Sequence, residues 1–344
     1  QKTPERQPGI FVIGGVGSFT DMTQLGAHLK SSMEYFDLAG EGSWQEFPGT
    51  LQPRVGAAGA VLDGYIYVVG GAAFMGSPNR DSAERFDPQA GLQGRWEELP
   101  SMSARRLAPT AHGISSRYVD PAGSGLLVVV GGNDGNSRLA GSEAFDPQKH
   151  QWQALPRQMN TPRVGHAGGV LEGVIYVCGG EDDSRTCLDS AECLDIHTCR
   201  WRAIPSMPGP PRFGARGAAL KGKLYVCGGT EDSDTDVNLA SVVCFDPSRC
   251  LWETIPPMSV TKFAPSVCAT EGRLFVMGGK EHGSMFPIGK RLNLAESFDL
   301  ETGSWRQLPG MIHDRAASIA VSAPGPPCTD ATQQQPASPA VAWE

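Results

Sequence analysis

Residues 174–205 read VIYVCGGEDDSRTCLDSAECLDIHTCRWRAIP, and this stretch decides the fold. An apolar run, Val174 to Cys178, ends in Gly179-Gly180 and is followed by a polar loop. The short segment Ala191-Glu192-Cys193-Leu194-Asp195 comes next, then Trp201 with Ile204-Pro205 behind it. The same order recurs along the chain. Glycine doublets stand at 14–15, 70–71, 131–132, 179–180, 228–229 and 278–279, about 48 to 61 residues apart. Three positions before each doublet are Phe11, Tyr67, Val128, Tyr176, Tyr225 and Phe275. Beyond each doublet a short segment closes on an aspartate: Asp37, Asp87, Asp146, Asp195, Asp246 and Asp299. Three places before that aspartate stand Glu34, Glu84, Glu143, Glu192 and Glu296, with Val243 as the exception. Trp44, Trp96, Trp152, Trp201, Trp252 and Trp305 follow, each with an apolar residue and a proline at fixed offsets. Self-similarity this dense marks a repeat array, in which each unit needs its neighbours to bury its apolar faces.

The pattern resembles kelch repeats, whose period is about 50 residues. The resemblance covers residues 10–321 and implies an all-β fold, a six-bladed kelch β-propeller with four strands, a to d, in each blade from the axis outwards. On this reading residues 1–9 are a linker and 322–344 a disordered tail. The blades span 54–100, 105–156, 163–205, 212–256 and 262–309, and the first is assembled from 10–48 and 315–321. Small-residue segments such as Val55-Gly56-Ala57-Ala58-Gly59-Ala60-Val61 suit the innermost strand, where blades converge. Arg315-Ala316-Ala317-Ser318-Ile319-Ala320-Val321 is a strand a with no strand b after it, while Ile10 to Gly15 is a strand b with no strand a before it. Joining the two closes the ring and removes the open sheet edges of a long β array.

Composition narrows the function. Gly at 43 and Pro at 27 suit a turn-rich β protein, and a net charge of −8 argues against nucleic acid as the main partner. No apolar run approaches membrane-spanning length, and no signal peptide or glycosylation sequon is present. The chain starts at Gln1 without an initiator Met, which points to a longer parent chain. The nine cysteines include repeat-equivalent pairs, Cys178 with Cys227, Cys193 with Cys244 and Cys199 with Cys250, and no CxxC. Cysteines copied with the repeat read as reduced, small apolar residues of a cytoplasmic protein. No HExxH, GxSxG or Walker-type motif occurs, so no catalytic residue, metal or cofactor is expected. His112 and His166 fall on inner strands, where packing is their expected role, and His282 and His313 stand isolated.

Loops leaving strand b and loops reaching strand a share one rim of such a propeller, the face on which kelch proteins bind partners. A base heads every strand a: Arg54, Arg106, Arg163, Arg212, Lys262 and Arg315. Two readings stand side by side. The bases form a cationic ring forking onto peptide carboxylates, or each serves its own repeat by pairing within it. Similar arginines in BTB–kelch proteins hold acidic peptides, which implies Arg54, Arg163 and Arg212 as foremost contacts. Arg80 and Arg138 add bases on the b–c loops, and Asp182, Asp183 and Asp232 add acids that read as solvated loop positions. The expected ligand is therefore a protein or peptide with acidic residues and at least one Lys or Arg. The resemblance implies the substrate-recognition domain of a cullin-based ubiquitin-ligase adaptor, joined to the ligase complex through a region before Gln1. Two other readings remain open: a free-standing kelch scaffold, for example on actin, and a carbohydrate-active propeller enzyme.

Overall fold

A computed structural model of the chain describes residues 8–17, 31–38, 42–74, 76–233, 237–281 and 290–325. Its strands form six antiparallel four-stranded sheets arranged around an axis. Blade four shows the plan. Strand a (Ala167–Leu171) pairs with b (Val174–Cys178), b with c (Ala191–Asp195) and c with d (Arg200–Ile204). A two-residue turn joins a to b at Glu172-Gly173, both with positive φ (50° and 77°), the geometry of a tight hairpin. Strand b is buried almost throughout because it faces a neighbouring blade on each side, so it reads as a continuous apolar run. Strand d has one face toward solvent and alternates accordingly.

The ring closes as the repeat count requires. The last strand, Ile319–Pro324, pairs antiparallel with Pro8–Ile13, giving blade one the order a, b, c, d like the other five. Each strand a packs against the strands a of both neighbouring blades. The closing strand lies further along the chain than the small-residue segment 315–321 suggested. Arg315 to Ser318 form the approach, held by a single bridge between Val16 and Ala316. Consequently Ser322 to Pro324, expected in the tail, belong to the sheet, and so do Pro8 and Gly9, expected in the linker. Residues 326–344 and 1–7 lie outside the described residues.

The glycine doublets join consecutive blades. The second glycine donates its N–H to the carbonyl of the base heading the next blade: Gly71 to Arg106 (2.8 Å), Gly132 to Arg163 (2.8 Å), Gly180 to Arg212 (2.7 Å), Gly229 to Lys262 (2.9 Å), Gly279 to Arg315 (2.8 Å) and Gly15 to Arg54 (3.0 Å). A Cβ on Gly70 (φ 66°) would stand 2.3 Å from the Arg106 carbonyl oxygen, so this joint requires a residue without one.

Outer strands are joined by the tryptophans. Trp44, Trp96, Trp152, Trp252 and Trp305 donate their indole N–H to the carbonyls of Pro309, Pro48, Pro100, Pro205 and Pro256 of the preceding blade, at 2.7 to 2.8 Å. Trp201 is the exception, its indole nitrogen buried without a partner. Eight cysteines, all but Cys328, are described, and all eight are unbridged. Burial pushes the thiols of Cys178, Cys227 and Cys268 up to about 12, so they behave as apolar groups. Among the described residues no helix is long and apolar enough to cross a membrane.

Candidate partner-binding face

Chain direction places the b–c and d–a loops on one rim. There each base that heads a strand a turns back into its own blade. Arg163 donates to the carbonyls of Gly179 (2.9 Å) and Ser190 (2.9 Å), to Ser190 Oγ (2.9 Å) and to Glu192 Oε1 (3.0 Å). Arg54 pairs likewise with Glu84 at 2.5 Å, Arg106 with Glu143 at 2.9 Å, Lys262 with Glu296 at 3.5 Å, and Arg315 with Glu34. The glutamates also accept backbone N–H groups of the incoming d–a loop, such as Leu51 (2.7 Å) on Glu84 and Asn160 (2.7 Å) on Glu192. In blade five Val243 takes the glutamate's repeat position, and Arg212 bonds the Gly228 and Ser241 carbonyls and Ser241 Oγ. Burial holds Arg106, Arg212, Lys262 and Arg315 below their ordinary values.

These six side chains are at most 4% exposed. Of the two readings of these bases, burial and internal pairing support the one in which each serves its own repeat, rather than a cationic ring with Arg54, Arg163 and Arg212 as foremost peptide contacts. The carboxylates they meet are the chain's own, and a partner would reach them only by breaking bonds that hold the d–a loops in place. The regular Glu three residues before each strand-c aspartate is the other half of this joint.

The remaining expected contacts separate into two groups. Arg80 is half-buried, bonded to Gln52, with burial and the nearby Arg54 guanidinium lowering its pKa. Asp182 Oδ1 accepts the N–H groups of Ser184 (2.9 Å) and Thr186 (3.0 Å), which shapes its own loop. Asp183 accepts the Arg138 N–H at 2.7 Å, and Asp232 is exposed on blade five. Arg138 reaches the mouth, paired with Glu181. His282 lies outside the described residues. His313, expected to be isolated, contacts Glu46 at 2.9 Å.

At the centre of this rim lies a cavity of about 380 Å³ that touches all six blades. The sequence reading missed its apolar lining. The residue after five of the six bases, Val55, Leu107, Val164, Phe213 and Phe263, contributes to it, and Phe213 and Phe263 stand with ring centroids 5.6 Å apart. Each of these residues makes one bridge to the residue after a glycine doublet, for example Phe213 to Thr230 and Leu107 to Asn133, which fixes its direction. Exposed Arg185 and half-buried Arg216 also line the cavity. The signal was present in sequence as a base–apolar–small triplet at the head of every strand a, in which only the base drew attention. An apolar floor with a few convergent polar groups is the form binding sites commonly take.

Comparison with known proteins agrees with this architecture. Residues 118–318 match the family model described as KLHDC2/KLHL20/DRC7 Kelch-repeats domain, and residues 53–103 match the Kelch motif. The chain belongs to the kelch-repeat family, and its fold is a six-bladed kelch β-propeller. It is similar to Kelch-like protein 26 of Mus musculus, 32% identical over 125 residues, which cover 35% of this chain and 18% of that protein. It is also similar to Kelch repeat and BTB domain-containing protein 13 of Homo sapiens, 36% identical over 96 residues, 28% of this chain and 19% of that one. The matched stretches thus span about a fifth of these relatives' own length. Among solved structures, that of YjhT superposes with a TM-score of 0.69 at 16% identity, covering 80% of this chain and 89% of the other, a likeness of fold.

Proposed function

We propose that this propeller is a non-catalytic protein-interaction module that receives a segment of a partner protein at the central mouth. The observation that carries the reading is the apolar ring of Val55, Leu107, Val164, Phe213 and Phe263 around the mouth cavity. Val55, Val164 and Phe263 are buried beneath the rim, while Leu107 and Phe213 stay partly exposed, and covering them gains about 25 cal/mol per Å² of apolar surface removed from water. The rim adds exposed Arg185 and the acids Asp183 and Asp232, a mixed field that suits a ligand carrying acidic residues with a basic one among them. Likeness to the Kelch-like proteins supports a further step: the bound partner is a substrate presented to a cullin-based ubiquitin ligase. The eight unbridged cysteines fit work in the reducing cytoplasm.

The test is a peptide-display selection on the purified chain, followed by titration of the selected peptides. Binding should weaken about tenfold or more in Arg185→Glu, an exposed change that leaves the fold intact. A control variant on the opposite rim, Lys221→Glu, should bind normally. Peptides that bind Arg185→Glu as well as wild type but fail on Lys221→Glu would place the binding face on the other side and overturn the reading.

A further inference from the structure

Below the mouth the axis opens into a second cavity of about 270 Å³, lined by the strands a of all six blades. Sheet register defines a layer across it, in which each residue pairs with the one just before its glycine doublet. The layer consists of Ala58, Thr110, Ala167, Arg216, Ser266 and Ile319, opposite Val69, Val130, Cys178, Cys227, Met277 and Ile13. A charge occurs at this layer on blade five alone. Arg216 lines both the mouth and the lower cavity, so it stands at the neck between them.

Its situation differs from that of the six bases at the strand heads. Arg216 donates to the Ala215 carbonyl at 3.0 Å, and among the described residues no carboxylate forms an ion pair with it. A guanidinium carries five N–H donors, so most of its capacity is unspent. No acidic residue lines the lower cavity. Its polar groups besides Arg216 are hydroxyls and the His112 imidazole instead, with His166 close behind. Thr110 Oγ1 lies 3.0 Å from His166 Nε2 and 3.1 Å from His112 Nε2, and Ser266 Oγ lies 2.6 Å from Ser318 Oγ. His166 Nδ1 is buried without a partner. The channel of a chain with net charge −8 is therefore locally electropositive.

We propose that this axial channel is an oxyanion site, in which the Arg216 guanidinium receives one carboxylate or phosphate group and the hydroxyls of Thr110 and Ser266 line its surroundings. Burial pushes Arg216 down to about 10, which leaves it protonated at neutral pH, and an anion would offset the cost of burying that charge. The charge is felt across the channel, where Arg216 contributes, after burial, Arg163 and His112, to the lowering of His166. A planar fork suits carboxylate and phosphate alike. The anion can be a free small molecule or an acidic side chain of a partner lowered through the mouth. The volume excludes a folded peptide segment.

Calorimetric titration of the purified chain tests this, with inorganic phosphate and, separately, N-acetyl-aspartate methylamide as probes. Ionic strength is held constant with chloride. Wild type should bind at least one probe saturably, Arg216→Met should weaken that binding at least tenfold, and Arg216→Lys should recover part of it. Saturation by phosphate with the aspartate probe inert assigns a free phosphate-type anion, and the reverse assigns an acidic side chain. Absence of saturable binding by both probes, or equal binding by Arg216→Met, overturns the proposal. Should Arg216→Met fail to fold, wild-type crystals soaked in selenate decide the matter. An anomalous peak beside Arg216 supports the site, and a channel without one contradicts it.

Discussion

Replacing Arg163 by methionine keeps most of the side-chain volume but removes every donor it aims into blade four. The Gly179 carbonyl and Ser190 Oγ lose their Arg163 donor, the Ser190 carbonyl keeps the Gly179 N–H at 3.0 Å, and Glu192, itself about 3% exposed, keeps only Asn160 and Thr161 as donors. Breaking a buried ion pair by removing one member costs about 3 to 5 kcal/mol, because a desolvated charge is left behind. Arg212→Met is the internal control. It removes the same carbonyl bonds, but Val243 occupies the carboxylate's place, so no acid is orphaned and a poorly compensated buried cation disappears. Unsatisfied acceptors cost about 1 to 3 kcal/mol, partly offset by loss of that charge's burial penalty. The Arg163 variant should therefore be less stable than the Arg212 variant by about 2 kcal/mol, read from urea unfolding midpoints at pH 7 with a shared slope. Equal losses, or a loss below about 1 kcal/mol for Arg163→Met, would refute the reasoning that these bases are the joints of the ring.

Other expectations follow from the same contacts. Burial lowers His112 from 6.5 to about 4, so the unfolded chain binds the extra proton between these values; stability is full above pH 6.5 and declines as pH falls toward 4, by roughly 3 kcal/mol from this group. His112→Gln should flatten that part of the stability–pH curve, and an unchanged slope would contradict the assignment. Trp96→Phe should cost about 1 kcal/mol beyond the lost area, because its indole bonds Pro48, while Trp201→Phe should cost less; calorimetric melting compares the two, and the reverse order would sink the latch. Deleting 319–325 strips blade one of its inner strand and should abolish cooperative unfolding, as followed by near-ultraviolet circular dichroism. A sharp transition at the wild-type temperature would show that the ring does not depend on this closure.

The fold was legible because its determinants are local and repeated. Gly179-Gly180, Asp195 and Trp201 each mark a turn or strand within a span of some thirty residues, and the same marks recur six times. The closing strand was misplaced by a few residues because the base–apolar–small triplet makes one bridge before the sheet begins, and a single bridge looks like strand in sequence. The sequence left the role of the bases open between a cationic ring and pairing within the repeat. Arg163 and Glu192 are 29 residues apart, and only the folded blade turns one onto the other, although both recur in register. Arg216 was visible as a long cation in a strand otherwise built of small residues, but its isolation from carboxylates is a property of the channel. The apolar mouth was written in the residues after five of the six bases, where partly exposed Leu107 or Phe213 passes in sequence for ordinary core.

The division of labour at the rim, with bases as joints and the residues after them as the binding surface, is tested most directly by one titration. A peptide selected on wild type is titrated against Phe213→Ala and Arg163→Met, with each concentration corrected for the folded fraction measured alongside. The account predicts that Phe213→Ala, still folded at the assay temperature, loses at least tenfold in affinity, while the folded fraction of Arg163→Met binds within about threefold of wild type. Normal binding by Phe213→Ala together with loss of binding by fully folded Arg163→Met would contradict it.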